Sequence, residues 1–111
     1  MRTQLEFINH ASIVIKGKNI SILTDPWFTG GAFNNGWQLL SETAILDAEN
    51  VLNKISHIWI SHEHPDHFSI PCFKKFSQRI IKNNIKILFQ ETKDKRVVNF
   101  LRAQKIEVIE L

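Results

Sequence analysis

The sequence predicts an α/β domain that opens with an antiparallel meander and continues as alternating strands and helices. Two observations carry this. Residues 1–25 hold three short stretches of strand character joined by tight turns. From residue 57 onward, apolar β-type runs alternate with segments of helical period. That order pairs strands in parallel through helical crossovers. Composition agrees: 111 residues, 43% hydrophobic and 23% charged, suit one folded domain. They exclude a disordered chain, a collagen-like repeat and a coiled coil.

Gln4–Asn9 alternates, with Leu5 and Phe7 set against Gln4 and Glu6. Residues 11–16 are rich in Ile and Val, Gly17-Lys18-Asn19 signals a turn, and residues 20–24 form the third strand. Residues 25–37 hold three of the four glycines and two of the three tryptophans without usable periodicity. They are expected to form a long loop, which in a small domain usually serves function. Residues 41–53 have helical character, with Ser41 as N-cap. Residues 57–61 read as a short apolar strand buried on both faces. Ser69 caps a helix that accepts Pro71 in its first turn and runs to Lys82, where Asn83-Asn84 ends it. Residues 85–89 form a strand, residues 93–103 a helix with Val97, Val98 and Leu101 on one side, and residues 106–111 a last strand.

The net charge of +3 is unevenly spread, near −3 over residues 1–73 and +6 over residues 74–111. The basic residues of the last third are interleaved with apolar ones, the pattern of solvated helix faces rather than a nucleic-acid interface. No run of 18 apolar residues exists, so no membrane span is expected. Glu6 interrupts the stretch where a secretory signal needs an apolar run. Cys72, the single cysteine, excludes an internal disulfide and a four-Cys zinc site and fits a reducing compartment. A cytoplasmic location is expected on these grounds.

Chemistry concentrates in Ser61-His62-Glu63-His64-Pro65-Asp66-His67-Phe68, which holds three of the five histidines. Imidazole nitrogen and carboxylate oxygen are the common protein ligands of catalytic zinc and iron. His62 and His64 leave a strand end two residues apart and project from one face. Pro65 bends the chain, so Asp66 and His67 are expected to aim elsewhere. Two pairs aimed apart suit two adjacent metal ions; the competing reading is a polar turn whose histidines only bond backbone. Glu63 is expected to face away, and His57 to be structural.

This H-x-H-x-D-H pattern resembles the metallo-β-lactamase superfamily, in which the motif follows a short apolar strand and an earlier strand ends in aspartate, as residues 20–24 end at Asp25. The resemblance implies that His62 and His64 bind a first metal ion and Asp66 and His67 a second. It also implies that Asp66 orients the attacking water and that Asp25 holds the metal-binding loop. Two zinc ions per complete site follow, with iron or manganese as alternatives. Asn9-His10-Ala11-Ser12 and the segment from Thr24 to Trp37 resemble lactonase-like and N-acyl-phosphatidylethanolamine phospholipase-like hydrolases. They also resemble the metallo-β-lactamase-like part of CMP-sialic-acid hydroxylases. Those hydroxylases carry a Rieske centre with two Cys and two His ligands, which Cys72 alone cannot supply, so the likeness implies a hydrolase-type fold rather than an oxygenase. His10 is either an acid/base or substrate contact at the pocket mouth or a turn histidine bonded to backbone. Trp27, Phe28, Phe33 and Trp37 either floor an apolar substrate pocket or pack the loop.

The superfamily completes its site with a later histidine, a bridging aspartate and a final histidine. After His67 this sequence has no histidine and only Asp94 as aspartate. Four donors from one loop cannot close two metal sites. Residues 1–111 are therefore expected to form one domain, incomplete at its C-terminal end: the N-terminal half of an αβ/βα sandwich. The expected activity is hydrolysis of an ester, lactone, phosphodiester or amide bond in a small molecule, weak or absent until a downstream segment or second chain supplies the missing ligands. The alternative is a non-catalytic metal-binding or interaction module that pairs with another chain.

Overall fold

A computed structural model of the chain describes residues 3–28, 31–32, 37–39, 43–64 and 66–111. The N-terminal meander forms as the alternation predicts: β1 (Gln4–Asn9), β2 (Ser12–Lys16) and β3 (Ser21–Thr24) pair antiparallel in sequence. Within the stretch expected to be irregular, β4 (Gly31–Ala32) and β5 (Trp37–Gln38) instead make a small antiparallel ribbon. Then follow α1 (Ile45–Asn53), β6 (His57–Ile60), α2 (Ile70–Lys82), β7 (Lys86–Phe89), α3 (Arg96–Ala103) and β8 (Val108–Glu110). The large sheet has the order β1-β2-β3-β6-β7-β8, and every pairing from β3 to β8 is parallel.

Register explains the core. Val14, Leu23, Ile58, Ile87 and Val108 stand opposite one another on successive strands, and all are buried. They join Ala48, Val51 and Leu52 of α1, Phe73, Phe76 and Ile80 of α2, and Val97, Val98 and Leu101 of α3 in one cluster. The helices thus share one sheet face. This corrects the expectation for residues 57–61: Ile58 and Ile60 are buried, but His57 and Trp59, on the opposite face, are only half-buried.

Helix starts follow local chemistry. Ser69 caps α2, its Oγ accepting from the Cys72 backbone N–H at 3.3 Å, and Pro71 sits in the first turn. Beyond α2, Asn84 takes the left-handed conformation with φ 54°. The described α1 begins at Ile45 after Ala44, which offers no side-chain cap, and Ser41 lies outside the described residues. Helix α3 starts at Arg96 rather than residue 93. Thr92 Oγ1 donates to the Asp94 carbonyl at 2.6 Å, and Asp94 Oδ1 accepts the Arg96 N–H at 3.0 Å, which holds residues 92–94 in a turn. Among the described residues no helix is long and apolar enough to cross a membrane.

Candidate metal centre

Parallel pairing of β3 with β6 sets Thr24 opposite Trp59, so Asp25 and Ser61 emerge on the same rim of the sheet. The Asp25 N–H donates to the Trp59 carbonyl at 2.8 Å, and the Asp25 carbonyl accepts from Ser12 Oγ at 2.7 Å. Held this way, the buried carboxylate faces the motif. Its Oδ1 accepts the Ser61 backbone N–H at 2.6 Å; its Oδ2 accepts Ser61 Oγ at 2.6 Å and His67 Nδ1 at 2.9 Å. The backbone N–H groups of His67 and Phe68 both donate to the His64 carbonyl, at 2.9 and 2.7 Å, so the chain folds back on itself after His64.

The β1–β2 turn brings a further histidine to this rim. His10, at φ 49°, places Nε2 3.1 Å from Asp66 Oδ2, while His67 Nε2 lies 3.3 Å from the same oxygen. Ligand atoms of His10, Asp66 and His67 lie within 4.8 Å of one another. The His62 ring stands 4.1 Å from that of His67 and 4.7 Å from that of His64, centroid to centroid. Burial acts to raise the Asp66 carboxyl, but the His10 hydrogen bond and the neighbouring His67 outweigh it, and its pKa falls below the ordinary value. Asp66 is therefore a carboxylate at neutral pH, an acceptor and a ligand in character.

The motif residues and Asp25 are thus assembled in one place, with one difference from expectation. His62 and His67 do not diverge: their rings are tilted 39° and nearly in contact, because the turn after His64 returns the chain. His10 meets a carboxylate rather than backbone. Phe28 is corrected from candidate pocket residue to core residue, edge-on to Phe76 at 5.7 Å. Trp27 is buried and meets the His10 ring edge-on at 5.1 Å, so it packs against a member of the site. Phe33 and the Trp37 side chain lie outside the described residues. His57 Nδ1 meets Ser56 Oγ at 2.8 Å, and exposed Glu63 lies 3.5 Å from Arg96, both away from the cluster. Ser12 and Ser61 were not legible as site residues; the one available signal was a hydroxyl immediately preceding the motif. Beside His62 opens a cavity of about 210 Å³, lined also by Phe89, Gln90 and Asp94 at the ends of β7 and the following turn.

The cytidine monophosphate-N-acetylneuraminic acid hydroxylase of Asterias rubens is 41% identical over 76 residues, 68% of this chain and 12% of the relative. That of Danio rerio is 39% identical over 75 residues, again 68% of this chain and 12% of the relative. The inactive Homo sapiens counterpart is 38% identical over 76 residues, 68% of this chain and 15% of its own length. The chain therefore spans only a small part of these relatives. Among solved structures, CmlA, a diiron beta-hydroxylase from Streptomyces venezuelae, superposes with TM-score 0.65 at 21% identity, over 98% of this chain and 20% of that one. A possible metal-dependent hydrolase from Veillonella parvula gives TM-score 0.63 at 22% identity, over 97% of this chain and 40% of that one. These two likenesses carry the fold alone. The sequence profile described as a beta-lactamase superfamily domain matches residues 4–110. Because that match runs through every strand of the large sheet and both sides of the histidine turn, the chain belongs to the beta-lactamase superfamily.

Proposed function

We propose that this chain is the metal-holding part of a metal-dependent hydrolase that cleaves an ester, lactone, phosphodiester or amide bond in a small molecule. The observation that carries the reading is the convergence of His10, Asp66 and His67 on one point, with His62 and His64 in ring contact beside it. Imidazoles and an ionised carboxylate are a fitting donor set for zinc, iron or manganese. In this reading His62 and His64 hold one ion, Asp66 and His67 hold a second, and zinc is the resident metal. When bound, such ions supply Lewis acidity, polarising the scissile group and acidifying water. The chain's own residues do the positioning. Asp25 accepts a hydrogen bond from His67 Nδ1–H, which leaves Nε2 as the nitrogen directed at the cluster. Asp66 stays ionised, anchored by His10, and is the acceptor placed to orient an attacking water. The remaining ligands come from a further segment or a second chain, since two closed sites need more than the motif's donors.

A second reading, a share in an iron-dependent hydroxylase, is favoured by the names of the curated relatives and of the diiron neighbour. Elemental analysis and calorimetry of the metal-stripped protein with Zn²⁺, Mn²⁺ and Fe²⁺, followed by assays on ester, lactone, amide and phosphodiester substrates, test both. The expected result is zinc binding that His62→Ala with His64→Ala abolishes, and chelator-sensitive hydrolysis in the protein with its full ligand set. Failure to bind any of the three metals overturns the proposal. Binding without turnover in that complete protein identifies a binding module, and iron-dependent oxidation supports the hydroxylase reading.

A further inference from the structure

Ser61 stands outside the H-x-H-x-D-H motif, yet its hydroxyl reaches three members of the site, the most distant being His67 Nδ1 at 3.5 Å. Its Oγ lies 2.6 Å from Asp25 Oδ2 and 2.9 Å from His62 Nδ1. A hydroxyl owns one hydrogen and two lone pairs, whereas a carboxylate only accepts. The short contact to Asp25 therefore consumes the Ser61 hydrogen. Toward His62 the same oxygen can only accept, so His62 must carry its hydrogen on Nδ1. In a neutral imidazole that leaves the lone pair on Nε2. His67 Nδ1 donates to the same Asp25 oxygen at 2.9 Å, which fixes the same tautomer there directly. One buried carboxylate oxygen thus orders two imidazoles, one by contact and one through a serine.

We propose that Ser61 is a positioning residue that relays Asp25 to His62 and holds His62 in the Nδ1–H tautomer, presenting Nε2 to a metal ion. The consequence for metal binding rests on the function proposed above; the tautomer does not, because it is set by protein groups alone. Loop placement is separable as well. The Ser61 backbone N–H, not its hydroxyl, makes the 2.6 Å bond to Asp25 Oδ1, so removing the hydroxyl keeps the backbone tie.

The test uses two-bond ¹H–¹⁵N correlation spectra of the metal-free protein at neutral pH, with zinc calorimetry alongside, for wild type, Ser61→Ala and Ser61→Thr. The wild type is expected to show His62 as Nδ1–H. In Ser61→Ala, His62 moves toward Nε2–H while His67 remains Nδ1–H, and zinc affinity falls about 10–100-fold, the usual loss when a group orienting a metal ligand is removed. Ser61→Thr restores both. A wild-type His62 protonated on Nε2 overturns the relay without need of any variant, as does Ser61→Ala with unchanged tautomer and affinity. A wild type with Nδ1–H on His62 that takes up none of Zn²⁺, Mn²⁺ and Fe²⁺ supports the relay and overturns the metal-holding function instead.

Discussion

At Asp25 the backbone enters the left-handed region, with φ 37°, just where β3 ends. Aspartate tolerates this conformation better than most side chains, though it still costs about 1–2 kcal/mol. The turn is held by the bonds from Asp25 N–H to Trp59 and from Ser12 to the Asp25 carbonyl. His10, at φ 49°, is the other left-handed residue that contributes a side chain to the cluster. Backbone strain gathered around convergent titratable groups is a common mark of a functional site. Cys72 is the opposite kind of residue. Burial pushes its thiol from an ordinary 9.0 up to about 12, so it is neutral and inert in the folded protein. The sign follows from linkage: the stability it contributes is fully present below pH 9.0 and is lost as the pH rises toward about 12, where the unfolded thiol ionises first. A disulfide reagent at mildly alkaline pH is therefore expected to modify Cys72 slowly in the native protein and rapidly in denaturant. Equal rates would contradict the burial.

Among the elements, α2 shows how much a short stretch can specify. Ser69 is buried and accepts the Cys72 N–H, so Ser69→Ala leaves that donor unpaired and is expected to cost about 1 kcal/mol, read as a lower urea midpoint at unchanged slope. This helix was legible nearly to the residue because its cap, its first-turn proline and its Asn83-Asn84 stop are all local signals. Strand β1 was legible for the same reason. The starts of α1 and α3 were not: Ala44 carries no cap chemistry, and the Thr92–Asp94 turn draws residues off the front of α3. For the site, His62, His64, Asp66 and His67 were legible from spacing alone. Placing Asp25 and His10 needed the family likeness, since the partners of Asp25 in Ser61 and of His10 in Asp66 lie 36 and 56 residues away. For Ser61 the hydroxyl next to the motif was the one signal, and a serine at a strand end is ordinary until the neighbouring strand end proves to be a carboxylate.

For the molecule as a whole, the radius of gyration of 13.3 Å is that of a compact domain near this length, about 13 Å. The chain thus packs a core of its own while spanning 12% of the Asterias rubens relative. Strand direction then divides its two rims. Asp25, the histidine turn and residues 90–94 follow the C-terminal ends of β3, β6 and β7, and the β1–β2 turn with His10 joins them. The returns at 54–56, 83–85 and 104–107 lie on the other rim, before β6, β7 and β8. A short Gly-Ser insertion after exposed Lys105 is expected to leave zinc affinity unchanged and lower the thermal midpoint only slightly, because loop closure grows slowly with length. The same insertion after Gln90 is expected to alter the cavity beside His62 and, in the proposed function, to shift substrate preference and zinc affinity; equal effects at both places would contradict the division. The sheet therefore has a writing side and a blank side. In the proposed function, substrate choice is written along residues 90–94, beside the cavity at His62, and the opposite rim stands apart from the histidine turn.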